Sequence, residues 1–374
     1  MQQEIHKKLG FGLMRLPRKN QEFDQPQIEK MVDAFIDAGG NYFDTARIYP
    51  GSEEITREVL VKRYPREKFL LASKLAAWNK CQSREDAIAQ FETSLRLTQA
   101  EYFDCYLLHN LGEKRTAVFD NFGLWDFVQE KKAAGLIRHA GFSFHSTAED
   151  LEDILQKHPE MEFVQLQINY ADWDDPKIQS RRCYEVARKY NKPVIVMEPV
   201  KGGLLANPPE PVRNILKDAA PALSPAAWAI RFAASLDGVA TVLSGMSDME
   251  QMKDNLASMS GFKPLTDKDL AVIRQASETL KSLQLIPCTN CQYCQKVCPE
   301  NIGIAGTLDA MNMLYAYNNP EFAANKEHWG VTVPGKNLAD HCIQCGECEK
   351  VCPQHIPIRK FLAESNAKLP RNKK

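Results

Sequence analysis

Eight of the eleven cysteines fall into two groups with one spacing, and thiolates in this pattern bind iron–sulfur clusters. The groups are Cys288, Cys291, Cys294 and Cys298, and Cys342, Cys345, Cys348 and Cys352. Each reads C-x2-C-x2-C-x3-C followed by proline, a run that holds [4Fe–4S] clusters. Three thiolates on one tight loop can each reach a different iron of one cube. The sequence therefore predicts two [4Fe–4S] clusters.

The fourth cysteine of each motif is predicted to bind the cluster of the other motif. It lies beyond the loop of the first three, on the following helix, and in two-cluster proteins it ligates the other cluster. We assign Cys288, Cys291, Cys294 and Cys352 to one cluster, and Cys342, Cys345, Cys348 and Cys298 to the other. Zinc is the alternative metal, but structural zinc sites use paired C-x2-C units without a third cysteine in the same register.

The remaining composition describes an ordinary globular chain. Lys and Arg number 47 and Asp and Glu 48, and only the tail residues Arg371, Lys373 and Lys374 form a basic group, so a nucleic acid partner is not expected. The first residues include no apolar signal segment, and no run reaches the roughly 18 apolar residues of a membrane span. Clustered cysteines in such a chain favour metal binding in a reducing compartment. We expect a cytoplasmic protein without a membrane-spanning part.

The first 260 residues alternate between short β-branched runs and amphipathic stretches. The predicted strands are Gly10–Leu16, Asn41–Ala46, Phe69–Leu75, Tyr102–His109, Ala140–Phe144, Phe163–Ile168, Pro193–Pro199 and Val239–Ser244. Predicted helices include Gln27–Ala38, Arg84–Leu97, Leu124–Ala134, Ala148–Gln156, Ile178–Lys189 and Pro225–Ala234. Eight such repeats in about 250 residues favour an α/β fold of the (β/α)8 TIM barrel type. No glycine-rich phosphate loop follows the first strand, so a Rossmann domain is not supported.

Polar residues stand at the carboxyl ends of three predicted strands, where barrels of this type carry their chemistry. Asp44 comes after the second strand, Lys74 lies late in the third and His109 ends the fourth, and Tyr49 follows Asp44 by five residues in the next loop. Alone, each has a structural explanation, as a turn cap, a surface lysine, loop packing or a core histidine. A lysine and a histidine inside apolar runs are harder to explain in that way, because buried ionisable groups are costly unless paired.

The same region resembles the aldo/keto reductase family. The residues that carry the resemblance are Leu9–Pro17, Phe43–Ala46, Gly51–Glu54 and Tyr106–His109. With its cysteine motifs the chain resembles the bacterial iron–sulfur branch of these reductases. The resemblance implies a catalytic tetrad of Asp44, Tyr49, Lys74 and His109. Tyr49 would protonate a carbonyl oxygen, Lys74 would lower the pKa of Tyr49, and Asp44 would hold Lys74.

The resemblance implies a nicotinamide site with several departures from the family pattern. Gln167, Ser143 and Asn255 match cofactor-binding positions, whereas Phe144 replaces an asparagine and Met197 a stacking aromatic residue. Residues 244–247 and 251 lack the lysine and arginine that hold the 2′-phosphate of NADPH. We expect NAD(P)H, with FMN as an alternative, because nicotinamide delivers electron pairs and each cluster passes single electrons.

The residues between the cysteine motifs read as helical, with one helix over Ala305–Tyr317 that Pro320 stops. The module thus resembles an α-helical ferredoxin. The predicted domains are a barrel over 1–262, a connecting segment over 263–286 with a helix from about Asp267 to Leu285, a two-cluster domain over 287–366, and a tail over 367–374.

These features predict an oxidoreductase that reduces a small-molecule carbonyl or related compound. Its clusters would exchange electrons with a ferredoxin-like partner or an internal flavin. Two alternatives stay open: a redox-sensing subunit, and an electron carrier with a non-catalytic barrel. Trp78, Trp125 and Trp173 are candidates for the wall of a substrate pocket.

Overall fold

The structure is a computed structural model, and it describes residues 1–176, 178–283, 286–288 and 290–370, apart from the side chain of Glu113. The chain forms two compact units. The larger contains residues 1–206 and 216–274, and the smaller contains residues 207–215 and 275–374. No helix within the described residues has the length and apolar character needed to cross a membrane. The predicted domain limits at residues 262 and 287 remain predictions.

The larger unit is a closed barrel of eight parallel strands, in the order β1-β10-β9-β8-β7-β6-β5-β4, which confirms the predicted TIM barrel. The barrel strands are β1 (Leu9–Gly12), β4 (Tyr42–Asp44), β5 (Leu70–Leu75), β6 (Phe103–Leu111), β7 (Ile137–Phe144), β8 (Phe163–Gln167), β9 (Val194–Met197) and β10 (Val239–Ser244). A short antiparallel hairpin is formed by β2 (Arg18–Lys19) and β3 (Glu22–Phe23). Because all eight barrel strands are parallel, their carboxyl ends meet at one rim.

Helices follow the strands. In the larger unit they are α1 (Gln25–Asp37), α2 (Ser52–Thr56), α3 (Arg84–Thr98), α4 (Thr116–Asn121), α5 (Leu124–Ala133), α6 (Ala148–Lys157), α7 (Ser180–Lys189), α9 (Pro225–Ala234) and α10 (Met249–Met259). Two helices have residues in both units, α8 (Glu210–Ala219) and α11 (Asp267–Ser282). Of the helix predicted from Asp267 to about Leu285, α11 therefore forms the part up to Ser282, and Leu285 lies outside the described residues.

The first strand is shorter than predicted. It ends at Gly12, because Leu13–Arg15 turn into a 3-10 helix instead of extending to Leu16. Within the strand, Gly10 is required by packing: a Cβ there would lie 2.9 Å from Leu243 Cδ2 and 3.3 Å from the ring of Tyr42. The apolar residues after Gly12 therefore do not extend the strand. Leu13 is apolar because it is buried in the 3-10 helix.

The smaller unit is helical, as predicted. Its helices are α12 (Tyr293–Lys296), α13 (Ile304–Tyr317), α14 (Pro320–Glu327), α15 (Glu347–Lys350) and α16 (Ile358–Lys368). Pro320 starts a helix as well as stopping one. Asn318, the residue after the end of α13, has left-handed backbone, and the Asn319 side chain caps α14. Proline suits the first helical position because its missing N–H would have no helical partner there. The apolar core includes Ile302, Leu308 and Met311.

Candidate functional site

A buried lysine–carboxylate pair lies at the carboxyl-end rim of the barrel. Lys74 on β5 and Asp44 on β4 are both nearly inaccessible to solvent, and Lys74 Nζ lies 2.5 Å from Asp44 Oδ1. The ammonium also donates to the carbonyl oxygen of Thr45 at 2.8 Å. The pairing of β4 with β5 brings the two residues together, because it places Asp44 opposite Ala72, two residues before Lys74. A buried charge of this kind needs such partners.

Tyr49 and His109 lie beside this pair, so the structure brings the four predicted tetrad residues to one place. Lys74 Nζ lies 3.5 Å from the hydroxyl oxygen of Tyr49 and 4.9 Å from the centre of its ring. The rings of Tyr49 and His109 meet edge to face, with centres 5.9 Å apart. Asp44 Oδ2 and His109 Nδ1 are buried polar atoms without a partner among the described residues. The phenol oxygen thus stands next to an ammonium group, and the phenol ring lies against an imidazole ring.

Burial at the rim favours a protonated Tyr49 and a neutral His109. Burial raises the pKa of Tyr49, and the nearby Lys74 ammonium offsets only part of this rise. The pKa of Lys74 is itself lowered by burial but raised more by Asp44 and Tyr49, so that its net direction is upward. Burial, Lys74 and His145 together hold the pKa of His109 well below its usual value. The expected lowering of the Tyr49 pKa by Lys74 is therefore present but smaller than the effect of burial.

The turn after β4 is fixed by a buried polar network that the sequence argument did not identify. Ser52 donates to the carbonyl oxygen of Leu13 at 3.0 Å and shares a 2.7 Å hydrogen bond with Thr45. Glu53 is fully buried, where it accepts from Ser73 at 2.8 Å and pairs with Arg47 at 2.6 Å. This network positions the loop that carries Tyr49.

The three predicted cofactor-binding residues lie at the same rim. Ser143 is on β7, Gln167 ends β8, and Asn255 on α10 donates to Ser244 at the end of β10 at 2.8 Å. Ser143 Oγ accepts the backbone N–H of Asn110 at 2.7 Å. The register pairs Gln167 with Met197, the position where the family has a stacking aromatic residue.

Gln167 is held by a polar cluster that no sequence motif indicates. Its Nε2 donates to Asp172 Oδ2 at 3.1 Å, and Asn169 Nδ2 donates to the same oxygen at 2.8 Å. The other oxygen of Asp172 accepts from Lys201. A cavity of about 70 Å³ adjoins Gln167 and His145, and burial lowers the pKa of His145 to about 4. Only the fold could reveal the whole cluster, because Lys201 joins it from the loop after β9, whereas Gln167, Asn169 and Asp172 lie at and after the end of β8.

One of the three candidate tryptophans lies beside the tetrad. Trp78 Nε1 donates to the backbone oxygen of His109 at 2.7 Å, and the two rings lie 6.3 Å apart. Trp125 instead stacks on His158 at 3.6 Å, and Trp173 packs edge-on against Phe232. Trp78 is therefore the tryptophan placed to line a pocket around His109.

In the smaller unit the eight cysteines surround two cavities, four to each. One cavity is lined by Cys288, Cys291, Cys294 and Cys352, and the other by Cys298, Cys342, Cys345 and Cys348. The fourth cysteine of each motif thus faces the first three of the other motif. This is the grouping expected for exchanged cluster ligands.

The donor set of these cavities suits iron–sulfur clusters. Burial raises the pKa of Cys294 and of Cys348 to about 11. These thiols therefore lose their protons only when a strongly positive partner such as iron binds the sulfur. Apolar side chains complete both walls, among them Ile356 in the first cavity and Ile302 in the second. By contrast, Cys105 in the larger unit is buried in the barrel core, as expected for a structural cysteine.

Comparison with known proteins decides the family. The sequence model described as the aldo/keto reductase family matches residues 8–278, most of the chain. The chain belongs to the aldo/keto reductase family. A second model, described as a 4Fe-4S dicluster domain, matches residues 287–357. This member of the family therefore carries a ferredoxin-type domain after its barrel.

Relatives of this reductase-family chain are distant. It is 27% identical over 195 residues to a 9,11-endoperoxide prostaglandin H2 reductase of Trypanosoma cruzi, covering 52% of the chain and 62% of the relative. It is 29% identical over 147 residues to a glyoxal reductase of Bacillus subtilis, covering 38% and 49%. The chain thus spans about half the length of these curated relatives.

Solved structures share the barrel. An aldo-keto reductase of Klebsiella pneumoniae in complex with NADPH superimposes with a TM-score of 0.56 at 20% identity, covering 72% of this chain and 90% of that one. At such low identity the likeness concerns the fold alone.

Proposed function

We propose that the barrel reduces a small-molecule carbonyl compound by hydride transfer from a nicotinamide cofactor, and that the smaller unit holds two [4Fe–4S] clusters for electron transfer. The observation that carries the first part is the contact of the Tyr49 hydroxyl with the buried Lys74–Asp44 pair. The four-cysteine cavities support the second part. A cytoplasmic location remains a prediction.

In this proposal Tyr49 is the proton donor. Its raised pKa keeps the phenol protonated at neutral pH, and the adjacent Lys74 ammonium stabilises the phenolate that forms when the proton leaves. Asp44 holds Lys74 in place. A neutral His109 has one N–H, which can donate to the substrate oxygen as negative charge develops on it.

Ser143, Gln167 and Asn255 would hold the nicotinamide cofactor, which supplies a hydride when bound. Gln167 keeps its amide in one orientation, because its Nε2 donates to Asp172 and its side chain is also hydrogen-bonded to His145. Near Asn255, the first turn of α10 itself contains no cation for a 2′-phosphate: the Asp248 side chain accepts from the backbone N–H of Gln251, and Glu250 adds a second carboxylate. We therefore propose that NADPH is not preferred over NADH.

Electron exchange between the clusters and a nicotinamide cofactor on the same chain needs an intermediate carrier. Since hydride carries two electrons and a cluster accepts one, direct exchange between them needs a flavin or a substrate that tolerates a radical. A flavin-containing, ferredoxin-linked reductase is thus the second candidate, and a ferredoxin-like protein the proposed electron partner. The eight cysteines at two cavities favour this candidate over a reductase whose barrel acts alone.

An anaerobic turnover screen tests the proposed function. Purified protein is supplied with NADH, NADPH or a reduced ferredoxin and with a panel of aldehydes and ketones. We expect reduction with nicotinamide, with kcat/KM for NADH at least equal to that for NADPH. Turnover with reduced ferredoxin alone would favour the flavin alternative, and no turnover with any donor would contradict the enzymatic proposal.

A further inference from the structure

The smaller unit contains two copies of one structural segment, 54 residues apart. Cys288 and Cys342 begin the two motifs, and the helices α12 and α15, like α13 and α16, start at equivalent positions. The residues before α12 and α15, Gln292 and Gly346, both have left-handed backbone, with φ of 62° and 79°. The cysteines agree also in exposure, since the third of each motif is buried and the second exposed.

The two cysteine cavities have equivalent walls because of this repeat. The apolar residues at equivalent positions are Leu308 and Leu362, Ile356 and Ile302, and Ile358 and Ile304. With the same ligands and the same apolar neighbours, two clusters would have similar reduction potentials unless charges differ, since net charge, hydrogen bonds to sulfur and solvent exposure set the potential.

Among the residues that line the two cavities, charge differs at two pairs of equivalent positions. Arg359 lines the second cavity where Ala305 lines the first. Glu300 lines the second cavity where Gln354 lines the first. The second cavity therefore has one cation and one anion in its wall that the first cavity lacks.

Arg359 is fixed beside the second cavity. Its Nε and Nη2 donate to Glu349 Oε2 at 2.9 and 2.8 Å, and its backbone N–H donates to Oε1 of the same carboxylate at 2.9 Å. Its charge interacts with Cys348 and Cys342, and its side chain is 45% exposed. Glu349 in turn acts on Cys348, so the guanidinium offsets a carboxylate close to this ligand. The neighbouring charges Glu347 and Lys350 pair with each other.

We propose that Arg359 and Glu300 tune the reduction potential of the cluster held by Cys298, Cys342, Cys345 and Cys348 and leave the other cluster unaffected. This inference rests on the proposed clusters. Reduction adds an electron, so a nearby cation raises the potential and a nearby anion lowers it. Removal of Arg359 lowers the potential for two reasons: a cation is lost, and the carboxylate of Glu349 is left without its partner. The chain thereby holds two chemically distinct one-electron sites.

The test is a redox titration of the full-length holoprotein, followed by electron paramagnetic resonance with dithionite as reductant. Arg359→Gln and Glu300→Gln remove one charge each. The second substitution also makes position 300 identical to its equivalent, Gln354. Arg359→Lys keeps the positive charge and serves as the matched control. We expect Arg359→Gln to lower, and Glu300→Gln to raise, one and the same midpoint potential. Each shift should be on the order of tenfold in the reduction equilibrium, about 59 mV for one electron.

The outcomes separate this inference from the proposed function. Opposite shifts of one potential, with the other unmoved and Arg359→Lys close to the parent, support the inference. Two potentials that move together, or no movement with full iron content, overturn it while leaving the clusters in place. If Arg359→Gln fails to assemble, Glu300→Gln with Arg359→Lys still decides, since an unmoved potential in Glu300→Gln contradicts the proposal. Absence of iron from the parent protein overturns the proposed clusters themselves.

Discussion

Replacement of Tyr49 by phenylalanine is expected to lower the rate of carbonyl reduction by about 10²- to 10⁴-fold, the usual contribution of a general acid. The substitution removes only the hydroxyl that lies 3.5 Å from Lys74 Nζ. The ring keeps its edge-to-face contact with His109, and Lys74 keeps its bonds to Asp44 and Thr45. The substitution should therefore lower the rate constant of the chemical step, measured in single turnovers, without affecting folding.

The matched control for this prediction is Tyr106→Phe. Tyr106 is a fully buried tyrosine on β6 whose ring packs against Phe91 and Phe103, so this variant also loses one buried hydroxyl. We expect Tyr106→Phe to retain the parent rate and Tyr49→Phe to retain the parent iron content and nicotinamide affinity. Full activity of Tyr49→Phe would remove Tyr49 from the mechanism.

The second large effect concerns the exchanged ligands. Cys352→Ala is expected to disrupt the cluster of Cys288, Cys291 and Cys294, because Cys352 lines their cavity. Up to half of the iron should be lost, and the magnetic resonance signal that remains should match that of Cys291→Ala. The repeat supplies a matched variant: Cys298→Ala should reproduce Cys345→Ala in the same way.

Cys81→Ala is the control for the ligand variants, since Cys81 lies in the larger unit and lines neither cavity. Its iron content and spectra should equal those of the parent protein. The assignment would be wrong if Cys352→Ala matched Cys345→Ala, because each cluster would then take all four ligands from its own motif.

Local patterns in the sequence predicted the parts of the molecule that depend on spacing along the chain. The cysteine motifs set which thiolates share a loop, and the strand ends set which side chains reach the rim. Asp44, Lys74 and His109 could be found in this way because each follows a recognisable apolar run. Tyr49 was placed by its distance from Asp44 in a loop without a periodic signal, and its role as proton donor came from the family resemblance.

What the sequence could not predict depends on packing between distant segments. Burial of Tyr49 outweighs the effect of Lys74 on its pKa, and the degree of burial is a property of the assembled rim. The cluster of Asp172 and Lys201 around Gln167 joins two loops whose shapes come from the fold. The proline at position 320 predicts the end of a helix, but it does not show that Asn319 and Pro320 together start the next one.

The most direct test of the central claim, hydride transfer from a nicotinamide cofactor to a carbonyl carbon at the barrel rim, follows deuterium from the cofactor. The holoprotein reduces a carbonyl substrate anaerobically with NADH that is deuterated at the transferred position, and the product is analysed by mass spectrometry and NMR. Deuterium on the former carbonyl carbon is the predicted result. A product formed in good yield whose carbon instead takes its hydrogen from the solvent would contradict direct hydride transfer.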